Sequence, residues 1–510
     1  MSAVKEDIEL DVAAVLGRLR SKGVQLWARG GQLQYRAPKG ALSRQEIEEL
    51  GRMSDQMLML LDERSTTGRT LHGLRAPLTF SQLAHWRLHK LAERPSVRQL
   101  AAATRLRGRL RADVLRQAWI GLIERHDALR TRVVVEDGVP MQEVGASADV
   151  DLPVEDLTTL AEPARHAAVS RLLNDLIMEP IHPATVPLIA ARVAKIGADE
   201  HVLMIAMEHM ISDASSMSIL LRDLLSMYEA LTQGRSPSLP RIPVQLADHA
   251  IWQQRMHPSW LASHGAYWAR RLDGCQRLRF PRHGLASGRR AGWSYVPVHI
   301  DRTLKAGLQE WCRTRRTTLV MAVLAAYVAL VMRWCHVVDT VVRFQTDGRF
   351  HEQVEHTIGY FASVLHLRVA IRGSERFIDV LGRVTEEYCN AHEHADGSYI
   401  DAQEPRPPYA RNCAFNWVPQ ARSASDLPRD RATLVTESMD FDSPVLRERE
   451  KDSEPVLLLY EREEEITGGV YFPLDQFALA DMQRFGQDLL GFLQAMLRDA
   501  DQSIWDSALS

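Results

Sequence analysis

The sequence predicts a mixed α/β protein of two lobes with a small separate unit in front of them. Three observations point there. From Leu78 onward helical and strand-like patterns alternate over ~430 residues without repeats or low complexity. Ser65-Thr66-Thr67-Gly68 forms a polar break between this body and the residues before it. Apolar residues make up 45% and charged residues 25% of the 510, the balance of a globular chain with room for about three domains at ~150 residues each. The division that follows is 1–64, a linker at 65–76, an N-terminal lobe at 77–255 and a C-terminal lobe at 256–510.

In the first unit, Val12, Val15, Leu16 and Leu19 recur at helical spacing until Gly23. Val24–Trp27 and Leu33–Arg36 then alternate around Gly30-Gly31, a β-hairpin signal. Ser43 with Glu46 three residues later makes a capping box for a second helix carrying Ile47, Leu50, Met57, Leu58 and Leu61. From Arg18 to Gly40 there are six basic residues and no acidic one. That patch is either a solvated face or a surface on which an acidic peptide adds as a third strand.

In the body, helices are expected at Ser81–Leu91, Ala112–Arg125, Ala214–Leu231, Lys305–Arg313 and Asp481–Leu497. Strands are expected at Val133–Glu136, His201–Met207, Tyr295–Ile300, Thr340–Phe344 and Val456–Tyr460. Thr318–Met332 is apolar for fifteen residues, short of the ~20 that a bilayer core needs, and is expected as a buried helix rather than a membrane span. Glu404–Asp430 reads as a mobile loop.

A formal net charge of −3 excludes a generally basic nucleic-acid binder. The N-terminal Glu6, Asp7, Glu9 and Asp11 do not fit a signal peptide. Five scattered cysteines without a C-x-x-C pair point to a reducing, cytoplasmic setting and give no zinc signature. No nucleophile elbow, P-loop, H-E-x-x-H or dinucleotide fingerprint is present.

The sharpest local feature is Glu208-His209-Met210-Ile211-Ser212-Asp213-Ala214-Ser215, between an apolar strand and an amphipathic helix. A histidine at a strand exit suits a proton acceptor, and an aspartate four residues on suits a group that fixes local geometry. H-x-x-x-D recurs at His392–Asp396, so spacing alone also allows a structural histidine.

Further blocks accompany this one. Leu78-Thr79-Phe80-Ser81-Gln82, Arg125-His126-Asp127-Ala128-Leu129-Arg130-Thr131, Tyr267-Trp268 with Leu272-Asp273-Gly274, Ile358-Gly359-Tyr360-Phe361 with Leu365 and Arg368, Phe415-Asn416 and Tyr471-Phe472 follow in order. Together with Glu208–Ala214 they resemble the condensation domains of nonribosomal peptide synthetases. That resemblance implies two chloramphenicol-acetyltransferase-like lobes in a V, with a tunnel between them. It implies no bound cofactor: a carrier protein presents an acyl thioester on its phosphopantetheine arm, and a small-molecule acceptor enters from the other side. His209 becomes the important motif histidine, and Asp213 the structural aspartate with Arg343 or Arg349 as partner. Ser215, Asn416 and Arg343 become substrate-binding candidates. Glu208 departs from the motif by replacing its first histidine, Ala214 replaces its glycine, and Ala362-Ser363 replaces V-N. The resemblance places no metal, nucleic acid or membrane at the site.

Lys22–Trp27, Leu33–Arg36 and Ala37–Leu42 resemble the β-hairpin docking domains of assembly-line subunits. Such domains capture a short C-terminal motif of the upstream carrier-protein subunit, which makes Trp27, Arg29, Arg36 and Lys39 the docking candidates. With no adenylation or carrier domain after the body, the layout resembles chain-releasing condensation enzymes that stand alone beside polyketide assembly lines. Two other readings stay open: a catalytically silent domain that recruits a partner protein, and an acyl-CoA acyltransferase of the same fold.

Overall fold

Which residues alternate, and against what, sets the architecture of the computed structural model. It describes residues 25–29, 32–36, 43, 75–91, 99–146, 151–260, 264–281, 292–371, 375–395, 409, 412–419, 434–439 and 454–506. The N-terminal hairpin is β1 (Gln25–Arg29) with β2 (Gln32–Arg36), antiparallel with Trp27 opposite Gln34. The helices expected over Val12–Leu19 and after Ser43 lie outside the described residues. So do Lys39, Asp396 and most of the linker; Glu404–Asp430, expected as a mobile loop, is described at 409 and 412–419, and there it is not a loop but carries the strand Ala414–Val418, paired on both sides within a sheet.

The N-terminal half runs β3 (Arg75–Pro77), α1 (Phe80–Leu91), β4 (Gln99–Arg107), α2 (Ala112–Arg125), β5 (Thr131–Glu136), β6 (Val139–Val144) and β7 (Val154–Asp156). It continues with α3 (Glu162–Met178), β8 (Ile189–Lys195), β9 (Glu200–Glu208), α4 (Ala214–Thr232) and α5 (Leu246–Trp260), followed by α6 (Ala266–Arg271), whose Trp268 packs into the core of the C-terminal lobe. The C-terminal half runs β10 (Trp293–Ile300), α7 (Arg302–Arg315), α8 (Leu319–Cys335), β11 (Asp339–Thr346), β12 (Ser363–Ala370) and α9 (Phe377–Glu393). Then come β13 (Ala414–Val418), β14 (Val435–Met439), β15 (Val456–Glu461), β16 (Ile466–Pro473) and α10 (Leu479–Arg498).

One sheet has the order β14-β4-β9-β8-β7. Its strand β9 is buried on both faces. Leu203, Ile205 and Met207 pack with Leu115, Trp119 and Leu220 of α2 and α4, while Val202, Met204 and Ala206 pack with Val169, Leu173 and Ile177 of α3. Alternation with helices on both sides is why the run is apolar from end to end.

The other lobe carries a six-stranded sheet in the order β10-β16-β15-β13-β11-β12. Phe344, Leu365, Phe415 and Leu457 share a core with α8, α9 and α10. The period of two then turns Arg343, Gln345 and Asn416 to the face away from those helices. Thr318 caps α8 by accepting from the Met321 N–H, and every residue from Met321 to Met332 is buried, as a helix that is apolar all round must be. Among the described residues no single helix is long and apolar enough to cross a membrane.

One strand crosses the boundary expected at 255/256. Strand β14, drawn from within 256–510, pairs antiparallel with β4, Val435 opposite Arg107 and Met439 opposite Ala103. Val354, Ile358, Phe361 and Leu434 join the core of the N-terminal lobe. Without β14, β4 would present an open row of backbone donors and acceptors. Leu434–Met439 is a short run with Thr436, Glu437 and Ser438 between its apolar ends, too short and mixed to signal this strand in the sequence.

Candidate functional site

Strand β9 carries the chain into the interior and releases it at Glu208, where a single 3-10 turn covers His209–Ile211. Met210 and Ile211 are buried and anchor the turn. The Ser212 hydroxyl donates to the Glu208 carbonyl at 2.9 Å, and the Gln82 side-chain amide of α1 donates to the Met210 carbonyl at 3.0 Å. The Leu78–Gln82 block therefore supports the histidine loop, a role that its residues alone do not reveal.

His209 is half-buried, with Nδ1 2.8 Å from the Ser212 carbonyl. A carbonyl only accepts, so Nδ1 carries the hydrogen and Nε2 keeps its lone pair. Burial pushes the imidazole pKa below its ordinary value, against the Ser212 bond and the negative charges of Glu208 and Asp213. His209 is thus neutral near pH 7 and able to take a proton at Nε2.

Asp213 faces away from this chemistry and does structural work. One carboxylate oxygen caps α4 by accepting from the Ser216 N–H and hydroxyl, both at 2.7 Å. The other accepts from Arg349 Nη1 at 2.8 Å, the Phe361 N–H at 3.0 Å and the Ala362 N–H at 3.2 Å. The Ser216 hydroxyl in turn accepts from the Gly359 N–H at 3.0 Å and Arg349 Nη2 at 3.1 Å. Arg349 also donates to the Thr357 carbonyl at 3.1 Å and lies over the Phe361 ring.

Burial alone would raise the Asp213 pKa, but the Arg349 charge and the hydrogen bonds from Arg349 and Ser216 hold it below the usual carboxylate value. One carboxylate thereby fastens the strand-to-helix turn to the 357–362 segment that follows β11. Of the two arginines left open by sequence, Arg349 makes this contact. Arg343 sits on β11 beside Ala414 instead.

Gly348 shows how tight this junction is. Its φ is +64°, and a Cβ there would stand 1.7 Å from the Phe361 carbonyl oxygen. Gly348→Ala is expected to cost more than the ~1–2 kcal/mol of left-handed backbone alone, because Phe361 must also move off Asp213. Urea unfolding measures this, and an unchanged midpoint would refute the close approach.

The remaining candidates are distributed around this centre. Ser215 is half-buried in the first turn of α4, one residue before the serine that joins the Asp213 network. Sequence offers no reason to prefer Ser216, although its place three residues after a capping aspartate is the available signal. Asn416 lies beside Gln345, its amide 3.4 Å from the Gln345 oxygen, on the same sheet face as Arg343. Glu208 is 1% exposed and faces His85 of α1, and the Tyr360 ring lies 4.5 Å from that of His209. Neither His85 nor Tyr360 stands out in the sequence as a member of this site. Trp27, Arg29 and Arg36 are placed only as members of the β1–β2 hairpin.

Residues 74–509 match the Condensation domain family and residues 12–63 match the TubC N-terminal docking domain. Chondramide synthase from Chondromyces crocatus is 29% identical over 439 residues, 85% of this chain and 11% of its own length. One of the linear gramicidin synthase polypeptides from Brevibacillus parabrevis is 31% identical over 326 residues, 63% of this chain and 6% of its own. The chain thus spans about a tenth or less of the length of these relatives.

Among solved structures, the X-domain from teicoplanin biosynthesis superposes with a TM-score of 0.72 at 23% identity, covering 87% of this chain and 99% of that one. The SgcC5 protein from Streptomyces globisporus gives 0.69 at 23%, covering 84% and 100%. The condensation domain of the Monacolin K polyketide synthase MokA gives 0.72 at 18%, covering 85% and 100%. At these identities the likeness establishes the fold: two chloramphenicol-acetyltransferase-like lobes. With a docking domain ahead of it, the chain belongs to the condensation domain family of nonribosomal peptide synthetases, whose members transfer acyl and peptidyl groups.

Proposed function

We propose that this chain is an acyltransferase that moves an acyl or peptidyl group from a carrier-bound phosphopantetheine thioester to an amine or hydroxyl acceptor. The observation that carries this reading is His209 Nδ1 2.8 Å from the Ser212 carbonyl, which assigns the ring hydrogen to Nδ1 and leaves Nε2 basic. The acceptor nitrogen or oxygen attacks the thioester carbonyl, the C–S bond breaks, and an amide or ester bond forms. The acceptor proton passes to Nε2 and on to the departing thiolate. Holding both substrates in line supplies much of the acceleration, and Ser215, Arg343 and Asn416 are the side chains we assign to that holding. The acceptor is a free small molecule, so the step releases the chain from its carrier. That SgcC5 was solved with a naphthyl-ethanediol supports including alcohols among the acceptors.

The test is intact-mass spectrometry of an acyl-loaded carrier protein offered a panel of amines and alcohols. Loss of the acyl group with a matching amide or ester product is expected. No transfer from any donor would overturn the reading, and a strong preference for acyl-CoA would remove the carrier protein from it.

Glu208 in place of the motif's first histidine favours a second reading, a silent domain that recruits a partner. The X-domain from teicoplanin biosynthesis has been solved in complex with OxyB. On that reading the loaded carrier binds and keeps its acyl group.

For the docking hairpin we propose strand addition and charge steering toward an acidic C-terminal segment of the upstream carrier subunit. Carrier affinity is expected to fall as salt rises and to drop on Arg29→Glu or Lys39→Glu. Calorimetric titration showing unchanged affinity in both variants would reject that surface.

A further inference from the structure

Helix α1 brings a second imidazole to the histidine loop. Its start is fixed by the Thr79 N–H donating to Gln82 Oε1 at 2.9 Å and by the Phe80 N–H donating to Gln253 Oε1 at 2.8 Å. Gln82 holds the Met210 carbonyl, and His85, three residues on, shares that helix face. The His85 ring is buried, with Nε2 3.6 Å from Glu208 Oε1. Its centroid lies 5.1 Å from that of His209 and 5.7 Å from that of Tyr360.

The backbone of Glu208 is held in place at both ends. Its N–H donates to the Leu188 carbonyl at 2.9 Å, and its own carbonyl accepts from Ser212. A carboxylate so deeply buried is costly unless a cation or donors answer it. His85 stands opposite it while packing against His209.

We propose that His85 and Glu208 act as one positioning pair for His209. Glu208 occupies the place of the motif's first histidine, and His85, carrying a proton toward Glu208, returns an imidazole to that neighbourhood from helix α1. The pair sets the field at His209, and its ring wall, completed by Tyr360, fixes the plane of the base. Among the described residues, Glu208 and Asp213 of its own segment act on His209 through their charges, and the rings of His85 from α1 and Tyr360 from the segment after β11 pack against it. Arg349 stands behind Asp213, engaged with its carboxylate. The proposal rests on the acyl-transfer reading for its effect on rate, and the test separates the two.

Histidine-selective NMR of the full chain follows the His209 imidazole through a pH titration, its signal identified by its loss in His209→Ala. Glu208→Gln removes a negative charge and is expected to lower the His209 midpoint. His85→Phe keeps a ring in place, removes the N–H that faces the carboxylate and is expected to raise it. A merely structural role does not move one group in opposite directions. In the transfer assay each single variant is expected to lose about tenfold in kcat with KM for the carrier unchanged, and the double variant no more than the worse single. Should either protein fail to fold, Glu208→Asp and His85→Asn take their places. Midpoints that stay put or move together, or rate losses that multiply in the double variant, overturn the pair. Opposite shifts in a protein that transfers no acyl group uphold the pair and sink the acyl-transfer reading alone.

Discussion

Replacing His209 with alanine is expected to lower the rate of acyl transfer by about 10²–10⁴-fold, the range for removing a positioned general base. The fold should survive, because the side chain is half-buried and its hydrogen bond is to a carbonyl three residues away. The urea midpoint of the variant is therefore expected close to that of the parent. Burial lowers the His209 pKa from the ordinary 6.5, so the neutral, proton-accepting form persists below that value. In wild type the acid limb of kcat/KM should fall below pH 6.5, with activity lost as pH drops through the lowered value. An acid limb above it, or equal transfer by both proteins, would mean that the imidazole is not the base.

Arg349→Met is expected to produce the largest loss of stability. Both side chains of the Arg349–Asp213 pair are nearly sealed from solvent, at 5% and 4% exposure. Removing one partner of such a pair costs about 3–5 kcal/mol because the other charge stays buried. In wild type the Asp213 pKa lies below its ordinary 3.8, so the pair stabilises the fold above that value and loses its effect as pH falls through the lower folded value. In the variant the balance reverses. Burial is then the dominant influence, the folded pKa rises, and protonation relieves the unpaired charge. The deficit in urea stability should accordingly be greatest at neutral pH and shrink toward about pH 4. A deficit independent of pH would point to lost packing rather than lost charge. Activity should fall as well, since the turn that aims His209 is held through Asp213.

Much of this architecture is legible in the amino-acid sequence, for physical reasons that differ between elements. Ala112–Arg125 is predicted with both ends right because Val114, Leu115, Ala118, Trp119, Leu122 and Ile123 recur at helical spacing and are the residues that the helix buries. The strand leading to His209 is legible because helices cover both its faces and leave it apolar throughout. Strand β4, Gln99–Arg107, is not, since three consecutive alanines carry no period of two. Strand β16 is interrupted by Gly468-Gly469, which resembles a turn. There the strand passes so close to β15 that a Cβ on Gly468 would lie 2.1 Å from the Leu458 carbonyl oxygen.

At the site, His209 and Asp213 are visible because both sit in one short stretch. Arg349, Ser216 and His85 reach the same place through tertiary contacts with segments distant in sequence or through a helix cap. Spacing alone does not report such contacts.

The crossing of β14 has a consequence for building hybrid proteins. Because a strand from the second half of the chain completes the first lobe's sheet, the lobes are interleaved in sequence although distinct in space. A chimera that joins halves of two relatives near residue 256 would close the sheet of one parent with a strand from the other. Its Leu434 contact and the pairing of Val435–Met439 with β4 would both be mismatched. A recombinant that carries residues 434–439 along with the N-terminal lobe keeps that seam intact, and the exchange of specificity between relatives is best cut along it.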